Sequence, residues 1–145
     1  AIESMEQLND EASRVAVSAG ATGATDVTGF GLLGHLGKMA KASGVNAMLY
    51  VDQIPFLPAA RQYVEDGIVP GGTRRNLAWI ADQVDAGSFS EIDLLLLADA
   101  QTSGGLIFGV DKDKSSDVCA ELEALGVVAA LIGETDAGEG KISLR

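Results

Sequence analysis

One cysteine and one histidine are all that this 145-residue chain offers to thiol chemistry or to soft metals. Cys119 alone excludes an internal disulfide framework and a cysteine-rich zinc site, and it suits a reducing cytosol. It sits beside Asp117 and Glu121, and nearby acids raise a thiol pKa, so it makes a poor nucleophile. His35 alone excludes a dyad with a second histidine and a histidine-rich metal site; it is expected to pack at a helix surface. Basic residues are scarce as well. Lys and Arg number 10 against 21 Asp and Glu, a formal charge of -11, which repels nucleic acid and anionic membrane over any long approach. No run reaches the roughly 18 apolar residues of a membrane span, and Ala1 to Asp10 has neither a basic nor an apolar leader segment. The expected setting is cytoplasmic, with no nucleic-acid or membrane partner. Aromatic residues make up 5% of the chain, and Trp79 and Phe89 read as packing residues, because no basic surface surrounds them to favour base stacking. A Walker loop, a nucleophile elbow and a Rossmann fingerprint are all missing.

What is present suits one ordinary domain over residues 1–145. The chain is 47% hydrophobic and 21% charged, and a domain of this length buries roughly two-thirds of its unfolded surface. A start at Ala1, without methionine and directly ahead of a helical pattern, is expected of a piece cut at a domain boundary. Met5, Leu8, Ala12 and Val15 recur at helical spacing from Glu3 to Ser18, with Gly20 as the cap. A short strand near Ala24 to Val27 precedes a helix carrying Leu32, Leu36, Met39 and Ala40, closed by Gly44. Val45 to Val51 reads as a strand. Pro55 and Pro58 mark a break before a short helix at Ala59 to Glu65. Asp66 to Gly72 reads as a loop and Arg74 to Val84 as a helix. Asp93 to Ala98, with four consecutive leucines, fits a buried strand or a buried helix equally. Gly105 to Val110 reads as a strand, and Lys112 to Leu125 as a helix burying Val118, Leu122 and Leu125. Val127 to Ile132 and Lys141 to Leu144 then read as two strands around an Asp-Ala-Gly-Glu-Gly turn. The fold class is therefore α/β (α+β), a three-layer sandwich with helices on a mixed or antiparallel sheet of about four to five strands.

Three stretches could carry chemistry. In Ala24 to His35 a carboxylate, Asp26, ends a short strand ahead of glycines and a helix start. The carboxylate and the first helical N–H groups would then face one crevice, which suits a metal bridging to phosphate. The competing reading makes Asp26 or Thr28 a helix cap and the glycines a tight turn. Ala98 to Gly105 is a polar, glycine-ended loop that either bonds a ligand or is a plain turn. Pro70 to Asn76 places Arg74 and Arg75 near a helix start, either for an anion or in solvent with Thr73 as N-cap.

Taken together, ATDVTGFGLLGHLGKMA (Ala24 to Ala40), PGGTRRN (Pro70 to Asn76) and LADAQTSGGLIFGV (Leu97 to Val110) resemble the carboxy-terminal half of the selenophosphate synthetases, or selenide, water dikinases. These lie in the wider aminoimidazole ribonucleotide synthetase-like superfamily. The resemblance implies an enzyme that makes selenophosphate, AMP and orthophosphate from ATP, selenide and water, with Mg2+ held between aspartates and the phosphate chain. It raises Asp26 to a metal ligand. It also implies that Thr28, Gly29, Gly31, Asn76, Gln101, Thr102 and Ser103 face the nucleotide or another domain. The nucleophilic cysteine or selenocysteine, the essential lysine, the nucleotide loop and most metal aspartates belong to an amino-terminal half without counterpart here, so no catalytic residue is assigned to this chain and it is expected to be inactive alone. The implied partners are that amino-terminal domain, ATP, selenide and, at full length, a second copy in a homodimer. Ala100 stands where the family usually carries proline, which loosens the loop without removing a ligand atom. Two other readings remain: a superfamily kinase or synthetase with a different acceptor, and a stand-alone acidic interaction domain.

Overall fold

The computed structural model describes residues 2–145, with Glu3 described in its backbone only. Among the described residues there are seven α-helices: α1 (Ile2–Glu6), α2 (Asp10–Ala19), α3 (Gly31–Ser43), α4 (Ala60–Glu65), α5 (Gly71–Ile80), α6 (Glu91–Leu97) and α7 (Ser115–Ala124). Six strands accompany them: β1 (Gly23–Asp26), β2 (Val45–Leu49), β3 (Val84–Asp85), β4 (Leu106–Gly109), β5 (Gly133–Ala137) and β6 (Ile142–Leu144). The mixed α/β class is the expected one, but the strands divide into two sheets. β1 and β4 form an antiparallel ribbon, and the other four form a mixed sheet in the order β3-β6-β2-β5.

Helix α3 lies between the two sheets, touching β1 on one side and β2 on the other. The main core gathers around it: Leu33, Leu36, Leu49, Ile80, Leu97, Ile142 and Leu144 are all buried. Each such side chain contributes about 1.5–3 kcal/mol on leaving water. A second, smaller core joins Ala12 and Val15 of α2 to Val118 and Leu122 of α7, with Leu106 and Phe108 of β4 packed on it. The ribbon therefore separates two apolar clusters, and the end of β1 sits where they meet.

Several elements depart from expectation. The first helix is broken between Glu6 and Asp10, because Asn9 starts a new one: its carbonyl accepts from the Ser13 N–H at 2.8 Å, and Asp10 and Glu11 stand in the first turn. Met5 and Leu8 are consequently exposed rather than part of a buried stripe. Helix α5 begins at Gly71, directly after Pro70, so Gly71 and Gly72 are helical rather than loop, and Thr73 lies inside the first turn instead of capping it. The leucine run is a helix, α6. Leu125 is exposed beyond the end of α7. Val127 to Ile132 forms no strand; the strand is Gly133–Ala137, and β5 and β6 flank β2 from opposite sides instead of pairing as a hairpin. Trp79 is half exposed, whereas Phe89 packs on the main core as expected. No helix among the described residues is long and apolar enough to cross a membrane.

The choice of helix for α6 is made at its first turn. The Ser90 hydroxyl accepts from the Asp93 N–H, and the Asp93 carboxylate accepts in return from the Ser90 N–H at 2.8 Å, a capping box. Arg61 of α4 donates to the same carboxylate at 2.5 Å. Burial pushes the Asp93 carboxyl upward, but the Ser90 hydroxyl, Arg61 and the Ser90 amide outweigh it and hold it below the usual carboxylate range. Because the folded-state pKa is depressed, the stabilisation is complete above the unfolded value of about 3.9 and is lost as pH falls through the folded one. Asp93→Asn is expected to cost about 1–2 kcal/mol at neutral pH. The gap in melting temperature between the two proteins, followed by circular dichroism, should narrow as pH falls below the unfolded value and the Asp93 carboxylate is protonated.

Candidate functional site

The three stretches singled out in the sequence converge on one knot of backbone. Val27, where β1 ends, donates its N–H to the Gly105 carbonyl and accepts at its carbonyl from the Gly104 N–H, both at 2.9 Å. The Thr28 carbonyl accepts from the Gln101 N–H at 3.1 Å and from the Gly31 N–H at 2.9 Å. Asn76 of α5 clasps both loops, its side-chain amide donating to the Gly29 carbonyl at 2.9 Å and to the Ala98 carbonyl at 3.1 Å. Thr73, one turn earlier and buried, donates its hydroxyl to Asp99 at 2.5 Å. Gln101 closes the knot by donating its side-chain amide to Asp99 at 3.3 Å.

This proximity demands a residue without a side chain at position 31. Gly31 has φ of +68°, and a Cβ there would stand 2.6 Å from the Ala98 carbonyl carbon and oxygen. A larger residue would both strain the backbone and push the two loops apart.

Helix α3 begins without a side-chain cap. Its N-cap is Phe30, and neither Asp26 nor Thr28 bonds to its first turn through a side chain. The capping reading of those two residues is thereby set aside. The Thr28 hydroxyl instead shares a hydrogen bond of 3.1 Å with His35 Nε2. His35, Trp79 and Lys38 surround Phe30: ring centroids lie 5.7 Å away for His35 and 5.8 Å for Trp79, and Lys38 Nζ stands 3.8 Å above the Phe30 ring.

Asp26 is exposed at the last position of β1, paired in register with Leu106. A hydrogen bond reaches its backbone carbonyl from the Thr25 hydroxyl at 3.1 Å; among the described residues none engages its carboxylate. Alternation along β1 turns Asp26 and Ala24 toward the start of α2. There they line an open depression of about 560 Å³ with Leu8, Asn9, Asp10, Ser13, Thr25 and Leu106. Thr28 to Gly31, bound into the knot, are not among the residues that line this depression. Asp10, which also borders it, reaches Arg14 at 3.4 Å. Among the described residues no three His, Cys, Asp or Glu side chains are grouped to hold an ion.

Of the remaining predicted residues, Thr102 is exposed and Ser103 half-buried. Arg74 stands 3.7 Å from Glu91 and Arg75 is exposed, so the arginines do not enter the knot. Thr73, Asp99 and His35 are site residues that the sequence reading missed. Their only advance signal was that each lies within a stretch already singled out; Thr73 pairs with Asp99 across 26 residues and His35 with Thr28 across seven.

Residues 3–144 match the family described as AIR synthase related protein, C-terminal domain. A selenide, water dikinase of Carboxydothermus hydrogenoformans is 41% identical over 145 residues, covering 99% of this chain and 42% of its own length. One from Yersinia pseudotuberculosis is 42% identical over 144 residues, covering 99% and 41%. Another, from Porphyromonas gingivalis strain ATCC 33277, is 44% identical over 140 residues, covering 94% and 40%. The chain thus spans about two-fifths of the length of these curated relatives. The crystal structure of a thiamine-monophosphate kinase from Stenotrophomonas maltophilia K279a is similar with a TM-score of 0.54, over 86% of this chain and 31% of that one. At 22% identity it is a likeness of fold alone.

Asn76→Asp replaces two donors with an anionic acceptor aimed at the same two carbonyls, and is expected to lower unfolding free energy by about 2–3 kcal/mol. The neighbouring Arg75→Ala, on the exposed side of α5, should stay within about 0.5 kcal/mol in the same urea titration.

Proposed function

The chain belongs to the AIR synthase related family, as its C-terminal domain, and on that premise we propose that it is the carboxy-terminal half of a selenophosphate synthetase. In this reading Asp26 gives one carboxylate to a magnesium ion whose other ligands come from ATP, water and an amino-terminal half. The observation that carries it is the state of that carboxylate: exposed at the end of a paired strand and spent on no hydrogen bond among the described residues. Magnesium takes oxygen ligands, often only one or two protein carboxylates, so a single free aspartate with no surrounding cluster fits its chemistry. What a bound magnesium supplies is neutralisation of the charge that develops on phosphate oxygens during phosphoryl transfer.

The chain's own residues act by position. The ladder with Leu106 and the two hydrogen bonds of Val27 to Gly104 and Gly105 hold the backbone of Asp26 and leave its carboxylate free to meet an ion. A backbone already held needs little rearrangement when charge builds opposite that carboxylate. The full reaction turns ATP, selenide and water into selenophosphate, AMP and orthophosphate. It needs a nucleophile and a lysine that the reading proposed here does not assign to this chain; Cys119 lies on α7 and does not line the depression at Asp26. Homodimerisation and residence in the cytoplasm belong to the same proposal for the longer protein. The names carried by the similar curated proteins favour selenide over another acceptor.

In the full-length protein, Asp26→Asn should reduce selenide-dependent ATP consumption by about a hundredfold or more, with the melting temperature unchanged. Turnover close to that of the wild type would remove Asp26 from the mechanism. The 145-residue chain alone, titrated with MgATP in a calorimeter, should show no micromolar binding, because one carboxylate offers too few contacts to offset the cost of association.

A further inference from the structure

His35 is the chain's single histidine, half-buried on α3. A packing role would leave its ring nitrogens without a particular partner, but Nε2 meets the Thr28 hydroxyl at 3.1 Å, across seven residues of sequence. On its other side the ring lies against Phe30, the N-cap of the same helix, at 5.7 Å. Thr28 to Phe30 is the turn between the end of β1 and the start of α3, so His35 grips that turn at both its ends. The other hydrogen bonds on the turn reach its backbone: the Gln101 and Gly31 N–H groups on the Thr28 carbonyl, and the Asn76 amide on the Gly29 carbonyl. Among the described residues His35 is the side chain that bonds the Thr28 hydroxyl, and it shares the Phe30 ring with Trp79 and Lys38.

We infer that His35 is a positioning residue, which through the Thr28 hydroxyl and the Phe30 ring sets the turn that follows Asp26 and presents that turn to the phosphate chain of the nucleotide. The nucleotide part of this statement rests on the selenophosphate synthetase reading; the link from His35 to the turn does not. Leucine at position 35 keeps the apolar contact with Phe30 and deletes the polar one. Glutamine places an amide group the same number of bonds from Cβ as Nε2 and restores the hydrogen bond to Thr28.

Two measurements test it. Hydrogen exchange on the chain follows the Gln101 and Gly31 amides, both of which donate to the Thr28 carbonyl, with the Ala47 amide, bonded to Lys141 in the distant sheet, as the control. His35→Leu should speed exchange at Gln101 and Gly31 about fivefold with Ala47 unmoved, and His35→Gln should restore most of it. Thr28→Val should reproduce the leucine variant, and the double variant should add nothing further. In the full-length protein, the KM for MgATP should rise about fivefold in His35→Leu with kcat little changed, and return in His35→Gln. Wild-type exchange at Gln101 and Gly31 in His35→Leu overturns the positioning role, as does a glutamine variant no better than leucine. Local loosening with an unaltered KM leaves His35 holding the turn and overturns its presentation to the nucleotide. A full-length wild type that consumes no ATP with selenide would instead sink the functional reading, and the exchange result would still decide the link.

Discussion

The double hydrogen bond of Val27 to Gly104 and Gly105 is the constraint from which the site takes its form. It ends the β1–β4 ladder at a defined residue and starts the turn into α3. It also brings the loop after α6 alongside, so that Gly31 and Ala98 come into backbone contact. Buried peptide groups must find partners, and here the polar side chains of α5 and of the loop supply what the ladder leaves over. Asn76 serves two carbonyls, and Thr73 serves the carboxylate that also receives Gln101. The result is two chain segments that behave as one rigid edge, with a carboxylate at its rim.

Two apolar cores explain why that rim is exposed. The larger one surrounds α3 and the four-stranded sheet, the smaller one joins α2, α7 and β4, and the ribbon runs between them. Gly23 faces α3, where a Cβ would meet Met39 and Ser43, while Asp26 belongs to the opposite row of the strand, toward the start of α2. The α2 side is thinly covered there, because Leu8 and Asn9 form a break rather than a continuing helix. An acidic side chain in that position keeps its hydration and remains available.

The sequence was most legible where local chemistry decides structure. Gly20 and Gly44 close α2 and α3 at the expected places, and the strand ending at Asp26 was visible from its neighbours. Legibility failed where tertiary partners decide. Four leucines carry no period, and only the Ser90–Asp93 box settled them as helix. The apolar stretch Val127 to Ile132 looked like a strand, yet Val128 and Leu131 are exposed, and the polar Gly133–Ala137 pairs instead. That strand lies at the edge of its sheet with most of its residues exposed, so it lacks the alternation by which strands are recognised. Thr73 resembled a cap because it precedes arginines at a helix start, and its true partner, Asp99, was invisible without the fold. The three stretches of the site were all legible, but the way they are tied together was not.

The pairing of Gly23–Asp26 with Leu106–Gly109 joins segments separated by most of the chain. Between them lie α3 to α6 and most of the larger core, whose own sheet is also closed from far away, since β2 pairs with β5 and β6 near the end of the chain. Closing so long a loop is entropically costly before its contacts repay it, so neither the ribbon nor the four-stranded sheet can close before most of the chain is present. In a nascent chain Asp26 would therefore have no fixed address until much later residues are made, and the rim that carries it would take shape only once β4 has emerged and returned.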